Sequence, residues 1–183
     1  MDLRIIKTKT AIREAFLSLR SKQTLEKIKV VDICSLAMIN KTTFYNYYQD
    51  IYALSDAIDR EVMDRFWNDF EEKDCLISDP VRFITALPKS VDSLGDVMYT
   101  LYRDRLSDFF RLLADKMVAH YVDETVDNAR KIRLFFIIYG LIHLFDEQKK
   151  NPKEYSDWST GEFADIIRNI LPESKSSFGE NNT

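Results

Sequence analysis

A row of polar side chains follows Asn40, and its chemistry suits contact with the edges of DNA bases. Lys41, Thr42, Tyr45 and Asn46 fall on one face of a predicted helix. A lysine can donate to guanine acceptors, an asparagine can bind adenine, and a threonine methyl group can contact thymine. These residue types at this spacing favour a helix that reads base edges, and the tyrosine could contact either bases or the DNA backbone.

The aromatic residues of the same segment have two interpretations, because most aromatic clusters are simply core. We expect Phe44 and Tyr48, which are four residues apart, to pack inward. The helical periodicity turns Tyr45 and Tyr47 away from those two residues. Both tyrosines are therefore expected to remain available for contact.

The elements that must position this row are also visible in the sequence. An amphipathic first segment has Ile5, Ile12, Phe16 and Leu19 on one face. A second helix, from about residue 30 to residue 37, has its apolar residues at inward spacing and includes Cys34, a small residue expected to be buried. A turn at residues 38–39 follows, and Asn40 is a favoured N-cap for the third helix, expected over residues 41–48.

Charge is distributed unevenly along the chain. Residues 1–50 hold 9 Lys and Arg against 5 Asp and Glu, a net charge of +4, whereas the remainder holds 17 against 25, a net charge of −8. Cations concentrated in the part that would approach phosphate favour a basic head on an acidic body. Chance clustering of solvated charges is the alternative, and Arg4, Lys7 and Lys9 fit a solvated face as well as they fit a DNA contact.

The rest of the chain predicts further helices and no convincing strand. Glycine and proline number only 4 each, so few turns are expected. We predict an all-α fold: a helix-turn-helix domain at residues 1–50, a helical bundle at 51–173 and a disordered tail at 174–183. The longest apolar run has 12 residues, which is too short for a membrane span, and no signal peptide is apparent. Together with cysteines outside metal or redox spacing, this predicts a cytoplasmic protein.

Signatures of catalysis are missing from the sequence. It contains neither a glycine-rich phosphate loop nor a nucleophile elbow nor a metal-spaced pair of His and Glu. His120 and His143 have no partner ligands nearby in sequence. The sequence therefore predicts a protein that is not an enzyme and binds neither a cofactor nor a metal.

The N-terminal pattern resembles the DNA-binding domain of the TetR/AcrR family of bacterial transcriptional regulators. The resemblance covers about residues 4–60 and rests on DICSLAMINKTTFYNYY followed by DIYALSDAI. Three positions depart from the family pattern. Met38 stands where a turn glycine is common, Lys29 where Thr or Ser is common, and Ile51 where a phosphate-contacting lysine is frequent.

The resemblance implies a homodimer that binds the two half-sites of a palindromic operator in double-stranded DNA. Lys41, Thr42 and Asn46 are expected at base edges, with Tyr45 at bases or backbone. Thr43, Tyr47 and Lys29 are expected at phosphates, with Arg4, Lys7 and Lys9 as further backbone contacts.

A pairing surface is expected in the C-terminal part of the chain. The helix from residue 133 to residue 145 is apolar almost all round, and a last helix follows at residues 161–171. Two such helices from each subunit would make a four-helix interface, although the first could instead be the central helix of the core. The expected interface residues are Phe135, Ile138, Ile142, Phe145, Phe163, Ile166, Ile167 and Ile170.

The resemblance also implies that a small apolar or aromatic effector binds among the body helices and releases a repressor from DNA. Aromatics and methionines at helical spacing are the candidate lining, although such residues are more often core. An alternative is a regulator, even an activator, that is controlled by a protein partner and has no small-molecule pocket. The candidate lining residues are Phe66, Trp67, Phe70, Met98, Tyr102, Phe109, Phe110, Met117 and Tyr139.

Overall fold

A computed structural model describes residues 3–154 and 159–171; the predicted disordered tail at 174–183 lies outside these ranges. Within them all regular secondary structure is helical and no strand is present, so the all-α prediction is confirmed for the described part of the chain. Two short 3-10 turns lie at Leu25–Lys27 and Glu71–Asp74. The helices are α1 (Leu3–Arg20), α2 (Val30–Leu36), α3 (Lys41–Tyr45), α4 (Ile51–Asp69), α5 (Cys75–Ser78), α6 (Pro80–Asp92), α7 (Asp96–Tyr102), α8 (Leu106–Tyr121), α9 (Asn128–Lys150) and α10 (Thr160–Ile170).

The chain forms two compact units, and both are discontinuous in sequence. Unit 1 comprises Met1–Asn68 with Ser93–Leu112, and unit 2 comprises Asp69–Asp92 with Leu113–Thr183. The sequence predicts that a second domain begins at residue 51. In the structure α4, α7 and the start of α8 belong instead with the N-terminal helices, so unit 1 is larger than a three-helix head. A functional boundary near residue 50 stays a prediction.

The core of unit 1 is built from apolar residues repeating about every four positions. On α1 the buried positions are Ile12, Ala15, Phe16 and Arg20, whereas Ile5 is exposed and Leu19 is half-buried. The inward stripe of α1 therefore ends on an arginine and not on the predicted leucine. The arginine can be buried because its guanidinium finds acceptors there, as described below.

Packing between α1 and α2 buries Ile33 completely and leaves Cys34 only 6% exposed. Burial raises the pKa of the Cys34 thiol, although the nearby Lys41 charge acts in the opposite direction. This cysteine is the small buried residue that the periodicity predicted, and its elevated pKa disfavours the reactive thiolate.

Unit 2 consists mainly of α6, α9 and α10, with α10 packed against the other two. Asp127 caps α9 by accepting the Arg130 N–H at 3.0 Å, and Ser159 forms a capping box with Glu162 at the start of α10. Proline disfavours a helix interior, because it lacks an N–H and its ring clashes with the preceding turn. Nevertheless α6 begins at Pro80 and runs through Pro88 to Asp92.

Candidate nucleic-acid interface

The turn between α2 and α3 is closed by backbone hydrogen bonds and contains a strained residue. The Ile39 N–H donates to the Cys34 carbonyl at 3.0 Å, and the Met38 N–H donates to the Ser35 carbonyl at 3.4 Å. This is the Schellman pattern, which requires a residue with positive φ just after the helix. Met38 takes that position with φ of 51° and is 92% exposed. The turn thus forms without a glycine at the position with positive φ.

Asn40 fixes the start of α3. Its backbone is extended, and its side-chain Oδ1 accepts the Thr43 N–H at 2.7 Å. This is the N-cap geometry predicted from the sequence. Two short helices joined by a closed turn therefore lie where a helix-turn-helix was expected.

The third helix is shorter than predicted, ending at Tyr45 with Asn46 as its C-cap. The N–H groups of Tyr47 and Tyr48 both donate to the Phe44 carbonyl, at 2.9 and 3.0 Å, which forms a tight turn after the helix. Asp50 then caps α4 by accepting the Ala53 N–H at 2.7 Å. Tyr47 and Tyr48 therefore lie in the turn that connects α3 to α4.

The outward face of this segment is accessible. Lys41, Thr42 and Asn46 are exposed, and the Tyr45 side chain is 54% exposed. Lys41, Thr42 and Tyr45 lie on α3 and Asn46 is its C-cap, and the buried Phe44 side chain anchors the helix in the core. The structure therefore brings together the three residues expected at base edges and Tyr45, which was expected at bases or backbone.

The inner aromatic residues support that face. Phe44 is completely buried, and its ring meets the Tyr45 ring edge-on at 5.6 Å and the tilted Tyr48 ring at 5.9 Å. Tyr48 is half-buried, and desolvation, followed by the nearby Glu61 charge, raises the pKa of its hydroxyl. The assignment of Phe44 and Tyr48 to the inner side agrees with this geometry.

The residues expected at phosphates differ from one another in their exposure to solvent. Thr43 and Tyr47 are half-buried, and the Lys9 ammonium lies 5.9 Å from the Tyr47 ring centroid. This cation–π contact places a positive charge from α1 beside the α3–α4 turn. Lys29 is exposed at the N-cap of α2 and makes no capping hydrogen bond with its side chain.

Sequence reasoning missed a group of charged residues that joins distant parts of unit 1. They meet at the corner between α7 and α8, residues 101–105, which we call the α7–α8 corner. Arg20 is fully buried and donates to the Asp104 carboxylate at 2.6 and 3.3 Å and to the Leu101 carbonyl at 2.8 Å. A detectable signal was the four-residue spacing of Ile12, Phe16 and Arg20, which places a charge in an apolar stripe.

A second ion pair connects the same corner to α4. Arg105 donates to both carboxylate oxygens of Asp59, at 2.7 and 2.8 Å, and its guanidinium lies 5.0 Å from the Tyr102 ring centroid. Burial opposes the charge on Arg105, but the hydrogen bonds and charge of Asp59 raise its pKa. Burial and the adjacent Asp59 also raise the pKa of Tyr102.

A charged pocket of about 230 Å³ opens beside this second ion pair. It lies between α4 and the start of α8, and Arg105 and Asp59 form part of its wall. Its lining is polar, unlike the aromatic lining expected for an effector. The lining residues are Asp56, Asp59, Arg60, Arg105, Asp108, Arg111 and Leu112.

The residues expected to line an effector site pack mainly as core. In unit 1 the Phe109 ring contacts the rings of Phe66, Tyr102 and Phe110 at centroid distances of 6.0, 5.2 and 5.6 Å. Trp67 is also buried there, and Met98 is half-buried. Of the unit 2 candidates, Phe70 and Met117 are buried and Tyr139 is exposed. An effector site among these residues stays a prediction.

The expected pairing residues divide into two groups. Four of them, Ile138, Ile142, Phe145 and Ile167, are buried within the single chain. They belong to its core, which was the alternative interpretation of the apolar α9. Phe135 and Ile166 are exposed, and Phe163 and Ile170 are half-buried.

The exposed apolar face of α9 lies on a different side of the helix from the buried residues. It consists of Ile132, Phe135, Phe136 and Tyr139, which we call the α9 strip. The spacing of these residues places them on one face, and the rings of Phe135 and Tyr139 stack with centroids 6.0 Å apart. Phe136 is the most accessible of the four, at 75% exposed.

In residues 3–154 and 159–171 no group of three His, Cys, Asp or Glu side chains is arranged to hold a metal ion. None of the helices in the same ranges combines the length and apolar character needed to cross a membrane.

Comparisons with known protein families, with curated proteins and with solved structures found no match to this chain. A functional assignment therefore depends on the residues and geometry described above.

Proposed function

We propose that this chain is a sequence-specific DNA-binding transcriptional regulator of the TetR/AcrR type that acts as a homodimer. The observation that carries the proposal is the α2–α3 pair. Its turn is closed by a Schellman pattern, Asn40 caps its second helix, and buried Phe44 holds that helix while the opposite face is accessible. This is the arrangement that a groove-reading helix requires.

The accessible side chains support sequence reading and not only attachment to phosphate. Lys41 and Asn46 supply donors and acceptors for base edges, and Thr42 offers both a hydroxyl and a methyl group. Lys9, next to the Tyr47 ring, and Lys29 supply cations for phosphate contacts. The positive balance of residues 1–50 within an acidic chain points in the same direction.

Selection of bound fragments from a genomic DNA library tests the proposal. The purified chain should enrich a palindromic sequence, and fluorescence anisotropy should give specific binding at least about 1,000-fold tighter than binding to an unrelated duplex. Enrichment of no sequence over the input library would refute the assignment.

Substitution of the reading face then tests the residues. Tyr45→Ala combined with Asn46→Ala should reduce affinity for the selected sequence by at least about 30-fold, since each good base contact contributes roughly 1–3 kcal/mol. Asn169→Ala is the control because it removes an equivalent amide side chain that is exposed on α10, in unit 2. If the double variant binds as tightly as the control, this face does not read DNA.

We infer further that the α9 strip forms the pairing surface, replacing the buried residues first expected there. Four large apolar side chains on one helix face are an unusual expanse for a monomer surface. Two half-sites require two recognition helices, and a symmetric dimer would supply them.

We propose that the protein is a repressor and that a small molecule releases it from DNA. Regulation by a protein partner is the alternative. A ligand must favour one conformational state of the protein to release it from DNA. A screen of metabolites by thermal melting distinguishes the two. Ligand control predicts at least one compound that raises the melting temperature and lowers operator affinity, whereas partner control predicts none.

A further inference from the structure

The α7–α8 corner holds two other parts of unit 1 that are far from it in sequence. Through Leu101 and Asp104 it binds Arg20 at the end of α1, and through Arg105 it binds Asp59 on α4. Both connections use two or more hydrogen bonds to a guanidinium, so they restrain orientation as well as distance.

These ion pairs differ from ordinary surface pairs because most of their charged groups are withdrawn from solvent. The side chains of Arg20, Asp59 and Arg105 are 0%, 3% and 14% exposed, and that of Asp104 is 22% exposed. A buried charge that loses its partner incurs a large desolvation penalty. The corner therefore has a single favourable arrangement relative to α1 and α4.

The same contacts fix the chain on both sides of the α2–α3 pair. Before the pair, Arg20 donates to the Gln23 carbonyl at 3.0 Å and Arg103 donates to the Ser21 carbonyl at 3.4 Å. After the pair, α4 begins at Ile51 and is held through Asp59.

We propose that Asp104 and Arg105 are positioning residues for DNA reading. They contact no DNA; they hold the entry and exit of the α2–α3 pair so that its outward face keeps one orientation. This inference rests on the proposed function for its consequence in DNA binding. The structural part, restraint of residues 22–50 by the corner, is measurable without DNA.

Three conservative variants test the corner. Asp104→Asn and Asp59→Asn keep the size of the side chain and remove its charge. Arg105→Lys keeps the charge and loses the bidentate hydrogen bond to Asp59. Asp165→Asn is the control, because Asp165 pairs with Arg168 at 2.8 Å on the exposed surface of α10. Circular dichroism identifies a temperature at which each variant is fully folded, and Arg105→Lys provides the test if a neutralised variant does not fold.

At that temperature anisotropy measures affinity for the selected sequence and for an unrelated duplex. We expect specific affinity to fall at least tenfold in the corner variants while non-specific affinity changes less than twofold, because phosphate attachment tolerates a misoriented head. The control should change neither affinity by more than twofold. A purely structural role would leave the ratio of specific to non-specific affinity unchanged in the folded variants, and that result would overturn the proposal.

Hydrogen exchange provides the readout that is independent of DNA. In full-length Asp104→Asn, amides of residues 22–50 should exchange at least five times faster than in the wild type, while amides of α10 keep their rates. Faster exchange confined to residues 101–105 would contradict the proposal. If the wild type shows no DNA preference, the proposed function fails, and this exchange pattern alone still supports or overturns restraint by the corner.

Discussion

At the scale of single residues, the most unusual conformation belongs to Met38. Its φ of 51° lies in the left-handed region, which is unfavourable for a residue with a Cβ. Because the side chain is 92% exposed, its packing contributes little free energy to offset this strain. The backbone bonds of the Schellman turn hold it there. The strain is therefore a local property of this turn.

Met38→Gly is expected to stabilise the protein by about 1 kcal/mol, because glycine relieves the left-handed strain and the greater freedom of its unfolded chain offsets only part of the gain. Thermal unfolding should show a melting temperature roughly 2–4 °C higher. Ala37→Gly serves as control, since Ala37 has φ of −78°. A stabilisation of equal size in the control would show that strain at Met38 is not the cause.

Asp104 makes a pH-dependent contribution. Burial alone would raise its pKa, but the hydrogen bonds and charge of Arg20, with backbone donors including Leu25, lower it on balance. Because the pKa of Asp104 is lower in the folded state than in the unfolded chain, its carboxylate stabilises the protein at pH values above the unfolded pKa of about 3.9. This stabilisation is lost as the pH falls through the pKa of the folded state.

Urea unfolding at pH 7 and pH 3 should therefore separate wild type from Asp104→Asn. We expect the variant to be clearly less stable at pH 7 and the difference to shrink at pH 3, because pH 3 is below the unfolded pKa and protonation of the unfolded chain there offsets part of the stabilisation. Asp165→Asn should differ little from the wild type at either pH. A constant difference across both pH values would mean that the charge of Asp104 does not contribute.

At the scale of elements, the start of α2 is incompletely capped. Lys29 occupies the N-cap with an extended backbone and no side-chain capping bond, and it places a cation at the positive end of the helix. A residue that caps would stabilise the helix, and the proposed phosphate contact would account for a lysine at this position.

Lys29→Ser should stabilise the protein by about 1 kcal/mol through a new cap and weaken DNA binding by removing a phosphate contact. The slope of log affinity against log salt concentration should become smaller by about 1. Lys22→Ser, which removes another exposed lysine in the connection before α2, is the control for net charge. Equal salt slopes for both variants would exclude a phosphate contact specific to Lys29.

Local signals predicted the elements well and the long-range charge pairs poorly. Asn40, Phe44 and the inward stripe at Ile12 and Phe16 follow from capping and periodicity, which act within a few residues. The pairing of Arg20 with Asp104 joins residues 84 positions apart, which periodicity cannot reveal. The same limit applies to α9. A helix that is apolar almost all round does not reveal from its sequence which of its sides a neighbouring helix covers.

At the scale of the whole molecule, the α9 strip predicts the oligomeric state. Phe136→Glu should convert a dimer to a monomer in light scattering at micromolar concentration, because two charges would be buried at a symmetric interface without partners. Tyr99→Glu adds the same charge to an exposed position of α7 and should leave the dimer intact. A dimer that survives Phe136→Glu would place the interface elsewhere.

The discontinuity of unit 1 affects how the protein is made. When residue 68 has been synthesised, Arg20 and Asp59 both exist, but their partners Asp104 and Arg105 do not. At ordinary rates of translation the ribosome needs about 2–7 s to add the missing 37 residues. Until then Arg20 and Asp59 lack both their counterions and the residues 101–105 that cover them. The N-terminal helices therefore cannot reach their final packing, and a shortened chain ending at residue 68 should be degraded as unfolded. Unit 1 therefore cannot complete its packing until more than half of the chain has been translated.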